Sequence, residues 1–488
     1  MPLQTVQFAV FLFVTALIGL LTYLKCRKAP GAVDHSTDAE NKEVFLAGGG
    51  LTWVFVAGSI TLTNLSTDQL VGMNGGQMAL LALWEFSAVI GLVILAKVFL
   101  PIYYRYECTT TTELLEKRYN NHHIRALIGF LFLLGNIFIF LPAVLYTGSL
   151  FMKTMFGLDI SLISLAMMFA IVGAGYAVLG GLRAVAISDT YSGVLLLSLG
   201  MLVVYLALDA INWDFSGIPA ERLTLIGGDD SPIPWHTLLT GMIFIQIFYW
   251  GTNQTITQRA MASPTVEEGQ KGVLAAAAIR LLVVPPLIVL PGIVAYKLYG
   301  DVGDAAYGRI VADVLPMWLS GAFAAALAAA VLTTFNSILN SSSALYVCDI
   351  HERYFVKEGG KLNVPKLNLY VTVVFITIAL FIVPFYAKTE SIINTLQTLY
   401  GLLSMPILSC FIVALLFKDA HYKSALAAVV FGVMLYALFT FQIQPFGLHY
   451  IHLMFITLIS TVIFALIVNR VFFKKFPEFS LDVFRADA

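Results

Sequence analysis

Residues 61–69 carry Thr61, Thr63, Asn64, Ser66, Thr67, Asp68 and Gln69 inside an otherwise apolar run. Hydroxyls, side-chain amides and a carboxylate at this density can hydrogen-bond a polar solute or ligate an ion. Within a bilayer each such group costs free energy unless it finds a partner. A single Ser or Thr would serve as polar glue between helices. Seven polar positions in nine residues instead predict a helix that lines a cavity, binds an ion or is unwound at mid-depth. A second interruption, Tyr249-Trp250-Gly251-Thr252-Asn253-Gln254-Thr255, breaks another apolar run. In a third stretch, 330–343, helical spacing puts Thr333, Asn336, Ser337 and Asn340 near one face, with Thr334 beside them. Hard cations of sodium's size take oxygen ligands, including hydroxyls and carbonyls freed where a helix unwinds. Hydroxyls at 333–334 facing an unwound 62–65 backbone would supply them. The same hydroxyls can also bond back to their own helix.

Three charges fall in or beside apolar runs. Glu85 follows Trp84, Arg280 lies within a span, and Asp189 follows Ser188 at a span's inner end. Intramembrane ions are costly and usually functional. Glu85 and Arg280 either neutralise each other or bracket a polar solute. Asp189 is either a functional ion or a helix N-cap.

The elements that must hold these groups are membrane spans. The chain is 59% apolar and 12% charged, where soluble domains carry about 25% charged residues. A net charge of −1 offers nothing to a nucleic acid. Cys26, Cys108, Cys348 and Cys410 are scattered, with no metal-ligand spacing. A spanning helix needs roughly 20 apolar residues. Thirteen such segments are predicted, at about 5–25, 50–73, 78–104, 124–156, 159–179, 185–208, 236–256, 272–298, 315–347, 368–387, 390–417, 422–441 and 450–470. No basic residue precedes the first, and Lys25, Arg27 and Lys28 follow it. It is therefore expected to remain as an anchor, with the N-terminus outside and the C-terminus cytoplasmic. On that topology 21 Lys and Arg residues fall in inside loops and four outside. The inside loop 105–123 is expected to form a short helix capped within Thr109–Thr112. The two interruptions lie five spans apart. Because five is odd, successive five-helix halves insert with opposite topology, the pattern of an inverted-repeat transporter with its site at the midplane. The expected organisation is an N-terminal extra helix and linker (1–48), a first repeat (49–208), a second repeat (209–417), and two C-terminal helices with a tail (418–488).

Asn64-Leu-Ser-Thr-Asp-Gln69, Trp84-Glu85, Gly180-Gly-Leu-Arg-Ala-Val185, Tyr249-Trp250-Gly-Thr-Asn-Gln254 with Gln258-Arg259, Leu290-Pro-Gly-Ile-Val-Ala-Tyr296 and Ala328-Ala-Ala-Val-Leu-Thr-Thr334 are the most specific pieces of a likeness that runs nearly end to end, from about Phe45 to the last span. In these the chain resembles the sodium/solute symporter family, in particular its bacterial sodium–galactose and sodium–glucose branch. The resemblance implies an all-α polytopic membrane protein of LeuT-like fold, a five-plus-five inverted repeat importing a sugar with Na+ by alternating access. It implies that Asn64, Gln69, Glu85 and Gln397 bind solute hydroxyls, and that Gln246 and Arg280 occupy the positions of the family's amide and lysine. Tyr249 would close the site from inside, with Trp250 beside it. Met73, Trp84 and Ile393 would form the outer gate. Sodium would sit on the carbonyls of Leu62, Leu65 and Ala330 and the hydroxyls of Thr333 and Thr334, with Asp189 on its release path.

Three departures bear on the solute: Arg280 for the lysine, the longer Gln246, and Ala88 at a serine position. Arginine's planar fork suits carboxylates, whereas Glu85 would repel an anion and accept from sugar hydroxyls. A neutral sugar is expected, such as galactose or glucose. The alternative is inositol, a sugar acid such as sialic acid, or another small organic solute. No nucleophile–base pair or metal-ligand motif points to an enzyme. The expected setting is the plasma or inner membrane, as a monomer or weak homo-oligomer, with a small solute, sodium and lipid as partners.

Overall fold

The computed structural model describes residues 3–26, 37–356, 362–389, 392–444 and 447–484. Helices dominate them. The one small sheet pairs Phe417–Lys418 antiparallel with Glu478–Phe479, tying the C-terminal segment to the end of the helix Ile392–Leu416. Ten helices among the described residues are long and apolar enough to cross a bilayer. The other three predicted spans take a different form. Two are the polar-interrupted runs, each split into two short helices. The third, 159–179, is continuous with the next predicted span in one helical stretch, Leu162–Ala210. A straight helix of that length would measure about 74 Å, against a hydrocarbon core of about 30 Å. The side chains of 175–181, which include the first two glycines of the Gly180–Val185 motif, lie outside the described residues.

The first interrupted run forms helices Trp53–Asn64 and Thr67–Gly75. Leu65 (φ −83°, ψ 71°) and the extended Ser66 leave the helical region between them. The hydrogen-bond ladder shows why carbonyls come free here. Ser66 N–H, which a continuous helix would give to Leu62, goes to Asn64 O at 3.0 Å. The Leu65 carbonyl accepts no backbone N–H among the described residues. The second run forms Gly241–Gly251 and Gln254–Met261. Asn253 caps the second piece by accepting from Thr255 N–H at 2.9 Å, and the freed Gly251 carbonyl takes the Tyr103 hydroxyl at 2.8 Å. Every exposed backbone group in a low-dielectric interior needs such a partner.

The helix Trp53–Asn64 is packed between Leu162–Ala210, Val266–Leu282 and Met317–Ala344. The helix Leu83–Ile94 lies against Gly241–Gly251 and Val266–Leu282, and Ile392–Leu416 contacts both interrupted runs. The polar residues of the breaks therefore face protein rather than lipid. On the loop side, the helix predicted within 105–123 is Thr111–Tyr119; Thr110 is its N-cap residue, and Glu113 accepts from Thr109 N–H at 2.9 Å.

Candidate functional site

A cavity opens at the first break. Asn64, Asp68, Gln69 and Met73 line it from the first interrupted run, Trp84, Glu85 and Ala88 from the next helix. Ile245, Gln246, Tyr249 and Trp250 come from the second interrupted run, and Ile393, Leu396, Gln397 and Tyr400 from Ile392–Leu416. Phe140 completes the wall. Met73, Trp84 and Ile393 are all buried, and Tyr249 is held by Asn64, whose Nδ2 donates to its hydroxyl at 2.7 Å.

The charged pair is internal. Arg280 Nη1 donates to Glu85 Oε2 at 2.5 Å, with both side chains almost wholly removed from solvent. Arg280 Nη2 donates to Thr61 O at 3.2 Å, and the guanidinium lies 4.7 Å from the centre of the Trp250 ring. Gln69 donates to the other oxygen of Glu85, leaving its own amide oxygen without a partner. Arg280 is thus a wall support behind Glu85 and does not itself line the cavity. Gln246 lines it but is already engaged: Nε2 donates to Ser87 Oγ at 2.8 Å and Trp84 O at 3.1 Å, and Oε1 accepts from Trp250 Nε1 at 2.9 Å.

Next to the break, Thr334 Oγ1 donates to the freed Leu62 carbonyl at 3.2 Å, and Thr333 Oγ1 to Ala330 O at 3.1 Å. Ser66 Oγ reaches toward the same Ala330 carbonyl at 3.5 Å. The five oxygens predicted for sodium, of Leu62, Leu65, Ala330, Thr333 and Thr334, thus belong to two segments joined by direct hydrogen bonds. All are neutral hard donors, a set that fits a monovalent cation, and the unpartnered Leu65 carbonyl is an available ligand. Asp189 stands apart from the cavity. It is no helix N-cap, because it lies deep inside Leu162–Ala210. Its Oδ2 accepts from Ser59 Oγ at 2.6 Å, and Ser59 accepts from Arg259 Nε at 3.0 Å. Its Oδ1 has no hydrogen-bond partner, with the Thr333 hydroxyl beside the carboxyl.

Tyr400 and Phe140 are wall residues that the sequence reading missed. Tyr400 was discoverable: Ile393, Gln397 and Tyr400 repeat at the i, i+4, i+7 spacing of one helical face. Its hydroxyl accepts from Asn253 Nδ2 at 2.7 Å, joining the cavity to the second break. Phe140 ends a π-helical turn, Asn136–Phe140, that no residue pattern announces.

Broken helices that meet at a cavity walled by polar groups within a polytopic bundle are the architecture of a secondary transporter of LeuT-like fold. The solved structure of a Na+-coupled sialic acid symporter, in a substrate-bound outward-open state, matches at a TM-score of 0.80, with 17% identity over 97% of this chain and 98% of that one. A nucleobase-cation-symport-1 family transporter in a closed conformation matches at 0.53, with 15% identity over 88% and 94%. The sodium:solute symporter family model matches residues 44–432, and the chain belongs to that family. It is 32% identical to an uncharacterised symporter, YidK, of Escherichia coli (strain K12), over 99% of this chain and 87% of that protein. It is 30% identical to the sodium/glucose cotransporter of Vibrio parahaemolyticus, over 88% and 84%. It is 27% identical to the sodium/myo-inositol cotransporter 2 of Mus musculus, over 81% and 65%. The chain is a multi-pass membrane protein and a sodium-coupled transporter of a small solute, not an enzyme. The names of these relatives cover more than one solute, glucose in one and myo-inositol in another.

Proposed function

We propose that the chain imports a neutral cyclic polyol, of the inositol and hexose kind, together with sodium by alternating access. One observation carries the solute class: the cavity wall contains two carboxylates, four side-chain amides and several aromatic faces, but no lysine or arginine. Carboxylates and amide oxygens accept from hydroxyls, and the unpartnered Gln69 Oε1 is an acceptor awaiting such a donor. A sugar acid would meet Glu85 and Asp68 with no free cation, because Arg280 is bound to Glu85. The names of the glucose and myo-inositol cotransporters among its relatives support the same class.

In the mechanism, thirteen spans form a five-plus-five inverted repeat around the two breaks, with 1–48 and 418–488 outside it. Asn64, Gln69, Glu85 and Gln397 bind solute hydroxyls, while Gln246 and Arg280 hold Trp250 and Glu85 in position. Sodium on Leu62, Leu65, Ala330, Thr333 and Thr334 joins the first break to the helix Met317–Ala344 and shapes the solute face beside it. Solute then closes Met73, Trp84 and Ile393 on one side. Release of the Asn64–Tyr249 hydrogen bond opens the other, and sodium leaves past Asp189. The test is counterflow in proteoliposomes with a panel of myo-inositol, glucose, galactose, glucuronate and sialic acid. Neutral polyols are expected to exchange only with sodium present. Exchange restricted to the acids would overturn the solute class, and sodium-independent uptake would overturn the mechanism.

A further inference from the structure

Asp68 is the acidic group of the cavity that the scheme above leaves without a role. Glu85, the other carboxylate in the wall, is matched by Arg280 and Gln69. Asp68 is half-buried at the start of the helix Thr67–Gly75, and its Oδ1 is buried and accepts no hydrogen bond among the described residues. A carboxylate oxygen buried without a partner is costly, and a bound cation is one way to compensate it.

The surroundings of Asp68 point to that cation. A second, smaller cavity adjoins the solute cavity; Asp68, Phe140 and Tyr249 line both. Its remaining wall includes Thr63, Asn253, Thr255 and Thr334. The Thr255 hydroxyl there is also buried without a partner. Thr334 is the residue whose hydroxyl meets the freed Leu62 carbonyl. The smaller cavity, with a carboxylate, hydroxyls and side-chain amides in its wall, thus adjoins the solute cavity on one side and reaches Thr334 on the other. Oxygen donors of this kind suit a hard monovalent cation and offer nothing to a soft one.

We infer that Asp68 is a cation ligand on the path between the solute cavity and the Thr333–Thr334 site, where a sodium ion is held by its free carboxylate oxygen. The inference rests on the sodium-coupled reading. It makes Asp68 the point at which cation occupancy and solute occupancy meet, because the residue belongs to both cavities.

The experiment compares wild-type protein with Asp68→Asn and Asp68→Glu in proteoliposomes, measuring the sodium concentration for half-maximal uptake at saturating solute. Asp68→Asn is expected to raise it by about tenfold, in the range of ordinary coupling effects, and Asp68→Glu to restore most of the loss. A merely structural role would not follow the charge in this way. An unchanged sodium requirement in a folded Asp68→Asn overturns the assignment. So does solute uptake by wild-type protein driven by a pH gradient without sodium and lost in Asp68→Asn, which would make the carboxyl a proton carrier. If Asp68→Asn does not fold, the displaced carboxylate of Asp68→Glu must alter the preference for sodium over lithium; an unaltered preference rejects the proposal. Sodium-independent uptake by the wild type would instead remove the symporter reading itself.

Discussion

At the scale of single residues, two hydrogen-bonded pairs set the energetics of the site. Thr334 spends its hydroxyl on a carbonyl released by the first break. Thr334→Ala removes one neutral hydrogen bond, worth about 1 kcal/mol to the fold, and one proposed sodium ligand. It is expected to raise the sodium concentration for half-maximal uptake by about tenfold, or ~1.4 kcal/mol, while thermal unfolding in detergent shifts little. Equal losses in both measurements would count against a ligand role. Glu85 and Arg280 behave oppositely. Removing one member of a buried pair leaves an uncompensated charge, at a cost of about 3–5 kcal/mol. Glu85→Ala should therefore lower the unfolding temperature sharply, and the double change Glu85→Ala with Arg280→Met should recover much of it. The sequence reading weighed mutual neutralisation of this pair against joint solute binding. Distance shows the pair closed, and of the two only Glu85 lines the cavity.

At the scale of elements, two polar clusters away from the cavity tie helices together. On the side predicted to be inside, Arg125 donates to Asp349 at 2.6 Å and Glu116 at 2.7 Å, and the Thr110 hydroxyl donates to Asp349 at 2.8 Å. Gln254 of the second interrupted run accepts from Thr111 N–H at 2.7 Å. The helix Thr111–Tyr119 is therefore fastened both to the segment following Met317–Ala344 and to the second break. On the opposite side, the rings of His236 and His452 stack at 4.7 Å, with Nδ1 and Nε2 2.6 Å apart. Asp229 and Thr240 sit on the outer nitrogens. Burial first, then His452 and His236, pull the neighbouring His449 down to about 4. An unfolded histidine titrates near 6.5. His449 thus binds fewer protons folded than unfolded between these values, and stability rises with pH there. Its contribution is fully present above about 6.5 and is lost as pH falls toward about 4. Unfolding temperature measured from pH 7.5 to 4.5 should fall, and His449→Gln should flatten that slope; an equal slope in both would rule out this histidine.

At the scale of the whole molecule, the proposed thirteen spans and the energetics of coupling can both be checked. An odd number of crossings puts the termini on opposite sides. A membrane-impermeant thiol reagent should label a cysteine introduced at the N-terminus from outside and one in the 474–484 segment only after permeabilisation. Labelling of both from one side would remove the orientation. One sodium ion crossing about 100 mV contributes about 2.3 kcal/mol. A tenfold sodium gradient adds about 1.4 kcal/mol. Together they sustain roughly 500-fold accumulation of a neutral solute. A steady-state ratio well above that, under the same gradients, would require more than one sodium per cycle.

What the sequence determined by itself is the material and its periodicity. Apolar runs of spanning length can be read directly, and the polar residues crowded at 61–69 and 249–255 are local features that a bilayer punishes unless they are partnered. They were enough to read a polytopic bundle with two broken helices, and the residue motifs were enough to suggest its family. What only the tertiary structure decided is which polar groups are already partnered. The sequence shows Gln246 and Arg280 as polar groups in apolar runs. Packing against Trp84, Ser87 and Glu85 takes them up and leaves Gln69 Oε1 and Asp68 Oδ1 unsatisfied. The place of Tyr400 in the wall was likewise settled by contacts between distant segments. Hydrogen-bond satisfaction is a property of pairs, and for Glu85 and Arg280 the partners are 195 positions apart in the chain. No local pattern encodes that distance.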